Sequence, residues 1–218
     1  MATFEPKTLD FTNPVAPNLP LAPNQYDRQF QDQFENILRL YFNQLDSVFG
    51  ALLGPTGAKY LKFPYGAFSS DQDQTATINT ATLMTLNTTD FANDVSIATS
   101  KITVVNAGIY NLQFSAQLEN SNNAPQDVFI WLKQNGTDIV GSTGKIGMPA
   151  RKNPGDPSHS IIGWNYFLSM AASDYVEIYW STTSVDVSIQ FYAASASPTK
   201  PATQSVVATM SFVSRLPS

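Results

Sequence analysis

The chain has 218 residues, no cysteine and a formal net charge of −5. Charged residues make up 13% of it, against about 25% in an ordinary soluble domain, and Ser, Thr, Asn and Gln take their place. These totals exclude a disulfide framework and zinc–thiolate chemistry, and with Arg151-Lys152 the only adjacent basic pair no basic patch tracks a phosphate backbone, so nucleic acid is not an expected partner.

Residues 1–24 read as an arm. Pro14, Pro17, Pro20 and Pro23 recur every third residue, and polyproline II has three residues per turn, so the four rings line one ridge of a stiff strap. Phe4, Leu9, Phe11, Leu19 and Leu21 have no core of their own to enter, which predicts an arm that docks on another protein. The first residues lack the basic and apolar regions of a secretory leader, and no apolar run reaches the length of a membrane span. Synthesis in cytoplasm without membrane insertion is the expectation.

Residues 25–53 read as a helix. Asn24 is the expected N-cap, with Asp27 three residues on, and Gly50 and Gly54-Pro55 supply stop signals. Phe30, Phe34, Ile37, Tyr41, Leu45, Val48 and Leu52 recur at intervals of four and three, nearer an eleven-residue than a seven-residue repeat, which predicts a straight or slightly right-handed bundle. Leu38, Phe42 and Phe49 widen the apolar face. One helix cannot bury such a face alone; it packs either on the following domain or on copies of itself. The proline strap before it and the glycine break after it favour self-association.

Residues 54–70 are expected to form a linker and the first strand, the latter within 59–68. The run Asp71-Gln72-Asp73-Gln74-Thr75 lacks the glycine and closing glutamate of a calcium loop and reads as a polar loop. From residue 81 short strands alternate with turn signals, as in sandwiches and barrels. They are placed at 81–86, 95–105, 109–120, 128–135, 138–146, 160–170, 175–181, 185–192 and 205–216. The clearest alternation sets Tyr110, Leu112, Phe114, Ala116 and Leu118 against Asn111, Gln113, Ser115, Gln117 and Glu119, the mark of an antiparallel strand with one buried face. Asn135-Gly136 signals a hairpin. Residues 147–159 read as a long exposed loop, functional or disordered, whose Arg151, Lys152, Asp156 and His159 form a candidate contact surface. Strands 128–132 and 175–180 are apolar on both faces. The second face, with Phe129, Trp131, Tyr175 and Tyr179, needs a further cover, expected from a neighbouring subunit in the head.

The chemistry of an enzyme is missing from this pattern. His159 is the only histidine, no nucleophile elbow or phosphate loop is present, and the four glutamates, Glu5, Glu35, Glu119 and Glu177, are scattered. A non-enzymatic protein with no catalytic residue, metal or cofactor is expected.

Two resemblances extend this reading. Residues 107–114 resemble the Gly-x-Tyr-x-Phe element of the trimeric jelly-roll heads of the complement and tumour necrosis factor superfamily, with Leu112 where that family usually has an aromatic. Residues 168–176 are similar to its Leu…Gly-Asp-x-Val motif, with Ser173 in place of the glycine. The closing run 208–216 resembles its last strand. The likeness spans residues 63–218 and implies an antiparallel jelly-roll head, trimeric, in an all-β protein preceded by an arm and one α-helix. Residues 33–46 resemble the N-terminal helix of structural proteins of tailed phages of marine and cyanobacterial hosts. That likeness implies a virion protein: a short fibre or spike whose arm meets a capsid, neck or tail protein, whose helix trimerises it, and whose head, at residues 71–218, contacts host-surface glycan. A capsid decoration protein and a free carbohydrate- or protein-binding module are the alternatives.

Overall fold

The computed structural model describes residues 15–21, 23–53 and 62–216. Phe4, Phe11 and Pro14 of the expected arm lie outside them. Two compact units divide the chain, Met1–Lys62 and Phe63–Ser218, so the first strand belongs to the head and not to a linker.

In the first unit α1 (Arg28–Leu53) starts three residues later than the sequence reading placed it. Asp27 is the N-cap, not Asn24: its Oδ1 accepts from Gln29 N at 2.8 Å and its carbonyl from Gln31 N at 3.1 Å. A carboxylate there satisfies amides that the first turn leaves without partners and opposes the positive end of the helix dipole. Phe30, Phe34, Ile37, Leu38, Tyr41, Leu45, Val48 and Leu52 are each half-covered, none is buried, and Leu40, Phe42 and Phe49 are more than half exposed.

The second unit is built of β1 (Tyr65–Ser70), β2 (Gln74–Thr75), β3 (Thr82–Leu83), β4 (Thr88–Asn93), β5 (Val95–Ala98) and β6 (Lys101–Val104). There follow β7 (Gly108–Asn120), β8 (Gln126–Gln134), β9 (Thr137–Asp138), β10 (Gly144–Met148), β11 (Ser158–Met170) and β12 (Tyr175–Thr182). The last are β13 (Val187–Ile189), β14 (Ser195–Ala196), β15 (Thr199–Lys200) and β16 (Val206–Ser214). One sheet runs β4-β1-β16-β7-β11, with β13 and β2 continuing beside the far end of β7; the other runs β10-β8-β12-β6-β5, and every pairing is antiparallel. The chain passes back and forth between the sheets, so that β1, β16, β7 and β11 face β6, β12, β8 and β10. That order is the double Greek key of a jelly roll, and the fold is an all-β antiparallel sandwich, as expected.

The alternation of β7 holds without exception. Tyr110, Leu112, Phe114, Ala116 and Leu118 are buried between the sheets with Ile130, Leu132, Ile178 and Trp180, and the polar set lies on the opposite face. The corner before β7 does not make a hairpin; it carries the chain from one sheet to the other, and Tyr110 Oη donates to Asn106 O at 2.8 Å to hold it.

Several strands differ from the reading of the sequence. The run 95–105 is two strands, β5 and β6, because Thr99 and Ser100 turn the chain with φ of 49° and 63°. Ser100 is buried there, and its Oγ accepts from Leu86 N at 3.0 Å, which offsets a conformation that L-residues seldom adopt. The run 138–146 is broken between β9 and β10, where Ser142 is buried and its Oγ caps Leu132 N at 3.0 Å. The run 185–192 shrinks to β13. The first strand occupies Tyr65–Ser70, and β4 pairs beside it.

Ser173 takes the turn that a glycine would take. Its φ is 69°, and Asp174 braces the turn by accepting from Ala171 N at 2.8 Å and Asn135 Nδ2 at 2.7 Å. Those bonds, that of Asn135 foremost, hold the Asp174 carboxyl below the usual aspartate range. Replacing Ser173 by Gly removes the steric cost of a left-handed residue and is expected to stabilise the head by about 1 kcal/mol. Chemical denaturation of the two proteins checks it: an unchanged or lower midpoint contradicts the strain.

Candidate functional site

The two ends of β7 define the head. At one end Gly108 lies against Phe212, where the chain enters and leaves: Phe63 stacks on Phe212 at 6.3 Å and Phe212 N donates to Pro64 O at 2.9 Å. At the other end Glu119 pairs with His159 of β11 and Ser188 of β13. This second end carries a cluster of polar side chains from β7, β11 and the connection after β13.

His159 was expected in a loop; it lies in β11, because the strand begins directly after Pro157. Its neighbours give it a role that a solvated histidine lacks. Tyr192 Oη is 3.0 Å from Glu119 Oε2 and 3.0 Å from His159 Nδ1, and the two rings meet edge to face at 5.9 Å. A carboxylate accepts only, so the hydroxyl donates to Glu119 and accepts from His159 Nδ1–H. That network places a hydrogen on His159 Nδ1. Burial, and then the bond to Glu119, push the Tyr192 hydroxyl well above its ordinary pKa.

The wall beside this cluster comes from the connection between Ile189 and Val206. It folds into the β14–β15 hairpin, tied at its root by Tyr192 N to Thr203 O at 3.0 Å and Thr203 N to Tyr192 O at 2.8 Å. Lys200 Nζ donates to Ala193 O at 2.8 Å and stands 5.6 Å from the centre of the Tyr192 ring. Between hairpin and sheet lies a cavity of about 350 Å³ lined by Gln117, Leu118, His159, Ile161, Tyr192, Lys200 and Thr203. The sequence reading missed Gln117, Ile161, Tyr192, Lys200 and Thr203.

The rest of the predicted contact loop sits at the same end. Met148 and Ser158 are buried, and the residues between them are held by Ser158 Oγ and Asn120 Nδ2 donating to Pro149 O at 2.6 and 2.8 Å. Arg151 Nη1 donates to Ser121 O at 3.2 Å, and Lys152 N to Asp156 O at 3.0 Å across a turn through Gly155. The loop is thus an ordered rim, and of its four named residues only His159 reaches the cavity.

Phe129, Trp131, Tyr175 and Tyr179 share the outer face of the other sheet, and of the four Trp131 and Tyr179 are the pair whose rings meet. Trp131 and Tyr179 lie 5.9 Å apart, and Trp131 Nε1 donates to Asp138 Oδ1 at 2.7 Å. Lysines roof the rings: Lys133 over Tyr179 at 4.4 Å, Lys101 over Tyr175 at 4.3 Å and Lys145 over Phe129 at 5.6 Å. Their stems cover apolar surface while the ammonium groups face the ring quadrupoles. The cover this face needs is supplied in part within one chain.

No family model matches this chain, and no curated protein matches it. Among solved structures the head is similar to the globular domain of the zebrafish complement 1qA protein, at 12% identity and a TM-score of 0.41, over 71% of this chain and 100% of that one. The jelly-roll assignment above rests on the strand order of this chain itself.

Proposed function

We propose that the chain is a non-enzymatic, homotrimeric virion protein, a short fibre or spike that is held to a capsid, neck or tail protein by its arm and carries a recognition head for host-surface glycan. The apolar stripe of α1 carries this reading: eight half-covered residues from Phe30 to Leu52 on one face, none of them buried. A surface of that extent on an isolated helix is stable in water only when another surface covers it, and a second and third copy present the matching stripe. The resemblance of residues 33–46 to phage structural proteins supports the virion setting.

The arm supports the anchoring role. Among its described residues Val15 is 78% and Leu21 96% exposed, with Leu19 and Pro23 also exposed and Pro17 and Pro20 half-covered. Three pre-stiffened arms on one trimer bind a repeated surface with avidity and little ordering cost. A chain lacking residues 1–24 is expected to remain a trimer by sedimentation and to be missing from purified particles. Wild-type copy number of that deletion in the particles places the anchor elsewhere, and a monomeric deletion removes the trimer reading of the helix.

A further inference from the structure

We infer that the cavity between the β14–β15 hairpin and the outer face of β7 and β11 is a binding site for one neutral pyranose ring. This deepens the recognition reading above and rests on it; the helix and arm do not enter the argument.

The first ground is that the cavity is constructed. Neither sheet needs the connection from Ile189 to Val206 for its closure, since β13 already continues the line of β16 beside β7. The chain nevertheless makes a hairpin there, roots it through Tyr192 and Thr203, and fastens its Lys200 ammonium to Ala193 O. Long connections that build their own ordered structure beside a rigid sheet are where binding residues concentrate.

The second ground is the lining. The cavity holds about 350 Å³, at the small end of ordinary ligand sites and suited to a single ring. Its apolar wall is Ile161, 73% exposed, and the Tyr192 ring. An aliphatic branch and an aromatic face together match the C–H side of a pyranose. Around them stand the Gln117 amide, the Thr203 hydroxyl, the spare hydrogens of Lys200 and the His159 ring. Hydroxyl groups both donate and accept, and this rim offers both.

The third ground is preorganisation. Tyr192 is fixed at its hydroxyl by Glu119 and His159 and at its backbone by Thr203, so binding orders few side chains. The charges favour a neutral ligand. Glu119 accepts a hydrogen bond from the Tyr192 hydroxyl at 3.0 Å and Asp73 accepts from Phe191 N at 2.8 Å, so two carboxylates behind the lining disfavour an anionic ligand, while Lys200, the one Lys or Arg of the lining, disfavours an ammonium.

The test uses the full chain and a panel of methyl pyranosides, with methyl glucuronide as the anionic member, read by ligand-observed saturation-transfer NMR and titration. Saturable binding of at least one neutral member is expected, tighter than the glucuronide. Ile161→Lys, a change at an exposed strand position, should weaken it about tenfold or more, Thr203→Ala should weaken it less, and Val140→Ser, a substitution at a 96% exposed residue of the β9–β10 connection, should leave it unchanged. Binding that persists in Ile161→Lys and Thr203→Ala overturns the site while leaving the head a glycan binder. Binding lost instead on replacing Trp131 moves recognition to the other sheet and also overturns it. Binding by no member of the panel overturns the pyranose assignment. Loss of glycan-array binding by the wild-type head would in addition remove the recognition reading.

Discussion

Replacing Phe34 by Asp is expected to turn the proposed trimer into monomers without disturbing the head. Phe34 lies in the N-terminal part of the half-covered stripe of α1 and stacks on Phe30 at a ring distance of 6.2 Å. In a bundle the substitution sets three carboxylates against one another in an apolar layer, and an unpaired charge so placed costs about 3–5 kcal/mol per chain. The helix should weaken along with the assembly, because a single helix of 26 residues is marginal in water without packing. Sedimentation at micromolar concentration reads the mass, far-ultraviolet circular dichroism the helix, and near-ultraviolet signals the aromatic core of the head. Asn43→Asp, at an exposed position on the opposite face of the helix, is the control and should remain a trimer. A Phe34→Asp protein that keeps its mass overturns the helical bundle; one whose head melts with the helix shows that the stripe packs on the head instead.

The stripe was legible because its information is local: a helix repeats its faces every few residues, and apolar spacing alone reveals them. The same holds for β7, where alternate residues face core and solvent along its whole length. Other parts carried no such signal. β4 is exposed along nearly all its length, so an edge strand of Thr, Asp and Asn around one Phe shows no alternation. The Thr99-Ser100 turn uses residues that rarely accept a positive φ, and what permits it is the Ser100 hydroxyl bonded to Leu86, fourteen residues away in the chain. The cavity was invisible for a related reason. Glu119, His159 and Tyr192 are separated by 73 and 33 positions in the two bonds that join them, and only the pairing of β7 with β11 and β13 brings them to one end. One clue existed. Buried Ile162, Leu168 and Met170 alternate with exposed residues, and that alternation extended backward places His159 on the outer face of a strand beside Ile161.

Gly163→Ala should do the reverse of the helix substitution: lower the stability of the head by about 3 kcal/mol while leaving the helical assembly in place. Gly163 is opposite Ser115 in the middle of the β7–β11 pairing. A Cβ at that position falls on the Phe114 carbonyl oxygen and stands 3.1 Å from Ser115 Cα. Both are backbone atoms of the most extensively paired strand, so no side-chain rotation makes room. Gly147 of β10 provides the matched control, since a Cβ there meets nothing within 4 Å. Neither glycine has a left-handed φ, so the difference between them is steric. Gly147→Ala should change stability by no more than about 0.5–1 kcal/mol, in the stabilising direction through the unfolded chain. For a head of this size the Gly163→Ala melting point should fall by about 10 °C. Equal melting points would mean that β11 can slide away from β7 at Gly163, and a helical assembly lost together with the head would mean that the two units do not fold independently.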